Sequence, residues 1–290
     1  MINRFVQTVF TLIKVVLKSN YFISIGKSAE KDLIVLGNGP SLQQDILNNR
    51  EIFDKTPLAV VNHFCYSEFF AQLKPKNYFL LDPAFFEHSL TEPVEKTYRI
   101  LSEEVDWEIT FYLPWNSRKS PFVKELMKKK HFKFQFVNYV TTKGGFQGIN
   151  RWLYNWNLAM PQSQNVLVYT LFLGIKIGIK RIFLFGAENN WHATVQVNKQ
   201  NELIITDVHL YEKKKEQIER IVKDPTDPSK SITMAVLLES CVKVFRGYEV
   251  VNSYAQTKQV QIYNCSKNSL IDGFARLDDN EFRQLMRPNS

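Results

Sequence analysis

The chain has 290 residues, of which 44% are hydrophobic and 22 are phenylalanine, and this composition excludes an intrinsically disordered protein and provides enough apolar surface for a large core. Its formal net charge of +8 favours anionic partners, among them nucleic acid, phospholipid headgroups and phosphorylated small molecules, without choosing between them. Cys65, Cys241 and Cys265 are widely separated and lack metal-ligand or redox spacing, which predicts a reducing, cytosolic setting.

Residues 1–28 are predicted to form a separate N-terminal basic amphipathic helix. Apolar residues recur at three- and four-residue spacing, and the charged residues up to position 25 are Arg4, Lys14 and Lys18. Lys14 interrupts the apolar stretch, so the segment is too short to span a bilayer. Two interpretations remain: a helix docked on the core, or a helix bound to an anionic membrane surface through residues 1–25. The uniformly positive charge favours the second, at the inner face of the plasma membrane.

The rest of the chain alternates predicted strands and helices, which indicates an α/β fold with a mostly parallel sheet flanked by helices. The predicted strands are 33–36, 58–61, 78–81, 109–113, 134–138, 181–185 and 248–251. The predicted helices are 42–49, 66–73, 122–130, 164–177 and 232–245. The strands at 33–36 and 181–185 are nearly continuous apolar runs, so we expect them at the centre of the sheet.

Residues 187–230 break this alternation with polar turns and a charged stretch, which is typical of a lid inserted in a compact domain. We therefore predict one α/β domain over residues 29–290, with the lid at about 187–230.

The turn after the first strand, Gly37-Asn38-Gly39-Pro40-Ser41, is the strongest local motif. Glycines permit close approach of a ligand, and unpaired amides at the start of a helix capped by Ser41 favour a phosphate. The motif is neither a P-loop nor a dinucleotide fingerprint. The alternative interpretation is a tight turn followed by a well-capped helix.

Polar residues also follow other predicted strands: Asn62, Asp82 and, after Gly186, Glu188. The carboxyl ends of parallel strands meet at one edge of a sheet, so these side chains are expected to converge on one crevice. Glu188 has three possible roles there: contact with a ribose, a general base, or a helix-capping carboxylate.

Together these motifs resemble the bacterial sialyltransferases of glycosyltransferase family 42. The resemblance runs from GNGPSL at 37–42 through VNHF at 61–64, DPAFF at 82–86 and the segment 173–186 to YNCSKNSL at 263–270. GNGPSL is also similar to a motif of archaeal hydroxymethylpterin diphosphokinase. The family resemblance implies a Rossmann-like, GT-A-variant-like fold and a CMP-linked sugar donor as substrate. It implies donor contacts from Gly37, Asn38, Gly39, Pro40, Ser41, Asn62, Asp82, Ser163, Gln164, Asn165, Gly186, Asn268 and Ser269.

The sequence departs from that family at two places. Residues 160–165 replace its loop before the long helix, and Ala187-Glu188-Asn189-Asn190 stands where the family carries tyrosines implicated in phosphate binding. Neither the sugar nor the acceptor is therefore specified.

Inverting sugar transfer needs a general base near the acceptor hydroxyl. The resemblance implies a histidine of the lid; His209, preceded by Asp207, is the first candidate, followed by His192 and Glu188. The sequence has no Asp-x-Asp and no metal-ligand spacing, so we expect no bound metal and no tightly bound cofactor.

The family resemblance implies a glycosyltransferase that moves sialic acid or a related CMP-activated sugar to a glycan, glycolipid or lipopolysaccharide-type acceptor, and the basic N-terminal helix predicts that it is membrane-associated. Two alternatives stay open: an ATP-dependent transferase similar to the pterin diphosphokinase, and a non-catalytic, membrane-associated binding module of the same fold. No nucleic-acid-binding motif is present, and the sequence leaves a homo-oligomer open.

Overall fold

The computed structural model describes residues 2–87, 90–162, 164–206, 219–224, 227 and 229–287. Its helices are α1 Ile2–Lys18, α2 Leu42–Asn48, α3 Arg50–Lys55, α4 Phe69–Leu73, α5 Glu92–Glu103, α6 Pro121–Leu126, α7 Gln147–Asn155, α8 Val166–Lys176, α9 Met234–Thr257 and α10 Asp279–Met286. Its strands are β1 Asp32–Leu36, β2 Leu58–Val61, β3 Asn77–Phe79, β4 Ile109–Pro114, β5 Phe132–Val137, β6 Thr141–Thr142, β7 Met160–Pro161, β8 Arg181–Phe185, β9 Val195–Val197, β10 Leu203–Thr206, β11 Glu219–Ile221, β12 Gln261–Asn264 and β13 Ala275–Arg276.

Eight strands form one sheet in the order β13-β12-β8-β1-β2-β3-β4-β5, and every neighbouring pair is parallel. The prediction of a mostly parallel α/β sheet with 33–36 and 181–185 at its centre is confirmed. The chain leaves β1 toward β2 and leaves β8 toward β12, so the direction of winding reverses between these two strands. A crevice is expected at the carboxyl edge of such a reversal.

Alternate residues of the central strands belong to two cores, one on each face of the sheet. Leu33 and Val35 pack with α7, α8 and α9, whereas Ile34 and Leu36 pack with α2, α3, α5, α6 and α10. Helix α8 is buried at every residue from 167 to 176, which explains its almost uninterrupted apolar sequence.

The strand predicted at 248–251 is wrong, because these residues lie inside α9. The side chains of Val244, Tyr248, Val251 and Ala255 are buried, and their three- and four-residue spacing is that of one helical face. Packing along this face overrides the β propensity of the Tyr-Glu-Val-Val run. The strand that joins the sheet here is β12, which the sequence pattern did not identify.

The expected cap of α2 is also corrected. Ser41 has helical backbone angles, its side chain makes no capping hydrogen bond, and its hydroxyl instead contacts Asp45. Within the predicted lid, β9, β10 and β11 form a small antiparallel sheet, while residues 207–218 lie outside the described residues.

Helix α1 docks on the body of the protein through its small side chains rather than its large apolar ones. Thr8, Thr11 and Val15 are buried, and the Thr8 hydroxyl accepts a hydrogen bond from the Phe146 amide. Most of the apolar side chains of α1 are exposed, including Phe5 at 61%. No helix in the described part of the chain is both long and apolar enough to cross a membrane.

Candidate functional site

A cavity of about 320 Å³ opens between the carboxyl ends of β1 and β8, and we call it the switch-point cavity. Its lining is residues 37–40, 61–62, 165–167, 186–191 and 194. The structure therefore brings together the loops after β1, β2 and β8, as their positions after strands predicted, and it adds the start of α8, where the family resemblance placed Asn165.

The first turn contains glycines because the neighbouring backbone leaves no room for a Cβ. The amides of Gly37 and Gly39 donate to the carbonyl oxygens of Phe185 and Gly186, each at 2.9 Å. A Cβ on Gly37 would lie 2.2 Å from the Gly186 oxygen, so the two turns pack in direct contact. The expectation that these glycines provide space for a ligand is corrected: the space is filled by the turn after β8.

Glu188 occupies the position where a phosphate was expected. Its side chain is 6% exposed, and its carboxylate accepts a hydrogen bond from the Ser41 amide at 2.9 Å. A Cβ on Gly39 would lie 1.5 Å from the other carboxylate oxygen. The negative charge at the start of α2 is thus supplied by the protein itself, which is the capping role that the sequence left open for Glu188. The expectation of unpaired amides at residues 37–41 does not hold for Gly37, Gly39 or Ser41.

Two asparagines of the switch-point cavity have unused hydrogen-bonding capacity. The side-chain oxygens of Asn38 and Asn62 are buried and have no hydrogen-bond partner. Asn62 adopts the left-handed conformation with φ of 47°, and its carbonyl oxygen accepts from the Tyr78 hydroxyl. An unpaired buried polar atom is costly, so each oxygen is suited to accept an N–H or O–H group of a ligand.

A second cavity of about 570 Å³ adjoins the first and shares residues 62, 165, 166 and 191 with it; we call it the adjoining cavity. Asp82, Gln164, Tyr139 and Tyr169 also line it. Asp82 is exposed, and its carboxylate accepts from the Ala84 amide at 3.0 Å. Burial, with smaller effects from Tyr169 and Asp82, raises the pKa of Tyr139 well above its ordinary value. Tyr139 is therefore a neutral hydroxyl that can donate a hydrogen bond at physiological pH.

The start of α8 lies where the two cavities meet. The Asn165 side chain caps this helix by accepting from the Leu167 amide at 2.8 Å, and it donates to Asn189 and Tyr248. The Asn189 side chain also donates to the Tyr248 hydroxyl, at 2.8 Å. This network fixes the end of α8 that points into the site. Tyr139, Tyr169, Trp191 and Tyr248 were not predicted, because their contribution depends on contacts distant in sequence.

The C-terminal segment supports the site without lining either cavity. The Ser269 hydroxyl donates to the Ala187 carbonyl oxygen at 2.7 Å, and the Leu270 amide donates to that of Glu188. Asn268 is exposed and lies outside both linings. The structure therefore places Ser269 behind the loop that carries Glu188, and neither of the two predicted donor contacts, Asn268 and Ser269, lines a cavity.

The remaining candidates are divided between the surface and the undescribed residues. His192 is exposed on the turn Trp191–Thr194 and lines neither cavity. His209 and Ser163 lie outside the described residues. Within the described ranges, no group of three His, Cys, Asp or Glu side chains is arranged to hold a metal ion.

The charge of the site is low. Its described lining includes the carboxylates of Glu188 and Asp82 and contains no lysine or arginine. The amino end of α8 supplies a positive potential at the site, because the dipole of a helix places about half a positive elementary charge at its amino end. The described lining therefore offers no cationic side chain that could pair with a di- or triphosphate.

Comparison with known proteins supports the fold. No family model and no curated protein matches this sequence. Among solved structures, the MAf glycosyltransferase from Magnetospirillum magneticum AMB-1 is similar, with a TM-score of 0.50 and 14% identity. The match covers 92% of this chain and 37% of that chain, so this protein spans well under half the length of its structural neighbour. At this identity the likeness shows a shared α/β architecture.

Proposed function

We propose that this protein is a glycosyltransferase that uses a nucleotide-linked sugar with a single phosphate, a CMP-linked sugar such as CMP-sialic acid. The observation that carries the proposal is a cavity at the switch point of the parallel sheet that is lined by Asn38 and Asn62, whose side-chain oxygens are buried without a hydrogen-bond partner. The MAf protein, a glycosyltransferase with this architecture, supports the reaction class.

The nucleoside occupies the switch-point cavity in this proposal. The Asn38 and Asn62 oxygens accept hydrogen bonds from the cytosine amino group and the ribose hydroxyls. The phosphate lies against the amino end of α8, where the Asn165 side chain accepts from the Leu167 amide without adding charge. The amino end of α2 is less suitable because it already carries the negative charge of Glu188. One phosphate carries one negative charge at the diester, which this dipole can stabilise without a cation.

The sugar and the acceptor occupy the adjoining cavity. The acceptor hydroxyl oxygen bonds to the anomeric carbon while the bond from that carbon to the phosphate oxygen breaks, so the configuration inverts and CMP leaves. Tyr139 donates a hydrogen bond that stabilises the departing phosphate. The hydroxyl proton passes to a base, for which His209 of the lid remains the proposed residue and His192 the second choice. Glu188 acts as a positioning residue.

The competing functions make different predictions about the ligand. An ATP-dependent diphosphokinase has to hold three phosphates, and the described lining offers no cationic side chain for them. A non-catalytic binding module is favoured by one observation, the Glu188 carboxylate at the anion position of α2.

Calorimetric titration with CMP, UDP, GDP and ATP separates these functions. We expect CMP to bind most tightly, and we expect the full chain to release CMP from CMP-N-acetylneuraminic acid or a related CMP-sugar when a mixture of glycan acceptors is supplied. Tighter binding of ATP with magnesium would support the diphosphokinase. No binding of any nucleotide, or binding without CMP release, would contradict the transferase.

A further inference from the structure

A third cavity, of about 490 Å³, lies between α1, α7 and α9 and shares no lining residue with the two cavities described above. Its lining includes Arg4 of α1, Arg151 of α7, and Lys243 and Arg246 of α9, and it contains no aspartate or glutamate. Among the described residues, none of these four side chains forms a salt bridge. We call it the cationic cavity.

The polar groups of the cationic cavity indicate the kind of anion that fits. Arg151 donates to Ser253 at 3.1 Å, which fixes one guanidinium at the wall. Asn150, a residue 9% exposed, lines the cavity, and its side-chain oxygen is buried without a hydrogen-bond partner. Four cations attract a phosphate, and an unpartnered oxygen accepts from a hydroxyl. A group that carries both a phosphate and a hydroxyl therefore matches this lining.

The helices around the cationic cavity expose large apolar side chains to solvent. On α1, Phe5 and Phe10 are 61% and 60% exposed; Trp152 of α7 is 53% exposed, and Trp156, directly after α7, is 64% exposed. Isolated apolar residues are common on protein surfaces, but here four large aromatic ones belong to, or directly follow, helices that line the cationic cavity, which indicates an interaction surface. Tryptophan beside arginine and lysine is typical of surfaces that lie at the interface between a membrane and water.

We propose that this face binds the surface of an anionic membrane, with the phosphate and hydroxyl groups of a lipid headgroup such as phosphatidylglycerol in the cationic cavity. The exposed side chains of α1 and α7 enter the outer part of the acyl region, while Arg4, Arg151, Lys243 and Arg246 contact headgroup phosphates. Membrane binding at this face does not require the reaction proposed for the switch-point cavity.

The test is sedimentation of the full chain with vesicles of phosphatidylcholine alone or mixed with phosphatidylglycerol. The wild-type protein is expected to bind only the mixed vesicles. The triple variant Arg151→Gln, Lys243→Gln, Arg246→Gln is expected to bind them on the order of 100-fold more weakly, since each basic residue near an anionic surface contributes about a factor of five to ten.

The control variant Lys124→Gln, Lys129→Gln, Lys130→Gln removes the same charge from exposed lysines in and after α6, on the opposite face of the sheet. It is expected to retain most of the binding. Phe5→Ser with Phe10→Ser keeps every charge and is expected to weaken binding through lost apolar contact. Far-ultraviolet circular dichroism and thermal unfolding confirm that each variant is folded, without reference to membranes.

Three results would overturn the proposal. Equal loss of vesicle binding in both triple variants would show that the net charge of the protein attracts it to the vesicles, without a specific site at the cationic cavity. Saturable binding of glycerol 1-phosphate at the cationic cavity, with no binding to vesicles, would assign the site to a free phosphorylated solute. Self-association that is lost in the Phe5→Ser, Phe10→Ser variant, again without vesicle binding, would assign the face to a second copy of this chain.

Discussion

The Glu188 carboxylate accepts a hydrogen bond of 2.9 Å from the Ser41 amide, although the two residues are 147 positions apart. This contact joins the loop after β8 to the loop after β1 at the point where the winding of the sheet reverses. Gly39 lies so close to the same carboxylate that no side chain fits between them. The two loops therefore form one rigid wall of the switch-point cavity.

Gly39→Ala is expected to destabilise the protein by about 3 kcal/mol, because its Cβ would lie 1.5 Å from the Glu188 carboxylate and 2.7 Å from the Gly186 oxygen. In the Glu188→Ala background the first clash is absent, so the same substitution is expected to cost only about 1 kcal/mol. Urea unfolding of the wild type, both single variants and the double variant measures this coupling. Gly148→Ala is the control, since its Cβ meets nothing within 4 Å. Additive effects of the two substitutions would contradict the contact.

Asn62→Gly is expected to weaken CMP binding about fivefold, because it removes one ligand hydrogen bond worth about 1 kcal/mol. Glycine keeps the left-handed backbone at this position, where φ is 47°, so the stability of the unliganded protein is expected to change little. Calorimetric titration measures the affinity, and thermal unfolding without ligand measures the stability.

Asn268→Gly is the matched control, since Asn268 also has a positive φ, of 53°, and lies outside both cavities. Its affinity for CMP is expected to equal that of the wild type. If the Asn268 variant loses affinity and the Asn62 variant does not, the nucleotide lies against the C-terminal segment, as the family resemblance implied, and not in the switch-point cavity.

The fold was predictable where burial leaves a pattern in the sequence. Strands such as β2 and β8 are continuous apolar runs between turn residues, and their predicted bounds are confirmed. The pattern at 248–251 led to a wrong strand prediction. A short run with β-branched residues fits a strand and a helix equally well, and only the surface against which it packs decides between them. Short helices such as α3 and α7 were missed because their stability depends on packing more than on local sequence.

Residues of the candidate site were predictable only where a glycine or a polar residue follows closely after a predicted strand. Gly37, Asn62 and Glu188 were identified because parallel strands bring their carboxyl ends to one edge, and all three line the switch-point cavity. The pairing of Glu188 with Ser41 was not predictable, since no local signal indicates which anion fills a helix terminus. Tyr139 lines the adjoining cavity and Tyr248 accepts a hydrogen bond from Asn189, but no pattern in the sequence assigned either residue to the site.

His209→Ala is expected to reduce transfer by at least about a hundredfold while CMP affinity stays within about twofold, because a general base acts on the acceptor and not on the nucleotide. His192→Ala is the comparison, and it is expected to change the rate little, since His192 is exposed and lines neither cavity. Initial rates of CMP release with saturating donor provide the measurement. Full activity of the His209 variant together with an inactive His192 variant would reverse the two assignments.

Lys176→Met is expected to change how stability depends on pH. Lys176 is 8% exposed, its ammonium donates to the carbonyl oxygens of Tyr154 and Asn155, and burial lowers its pKa to about 8, with smaller effects from Lys27 and Lys258. Because the unfolded chain keeps this proton up to a pH of about 10.5, the cost of burying the charge is present in full below pH 8 and disappears as the pH rises. Between about pH 7 and about pH 9.5 the lysine is expected to add about 2 kcal/mol to the free energy of unfolding.

Urea unfolding of the wild type and the Lys176→Met variant at several pH values isolates this contribution. Other groups titrate in the same window with the opposite sign; burial raises the pKa of Cys65 to about 11, for example, so its contribution is lost as the pH rises above the ordinary thiol value. These groups are common to both proteins, and their effects cancel in the difference. The wild type is therefore expected to gain stability relative to the variant as the pH rises, and a difference that is constant over this range would show that Lys176 stays charged in the folded protein.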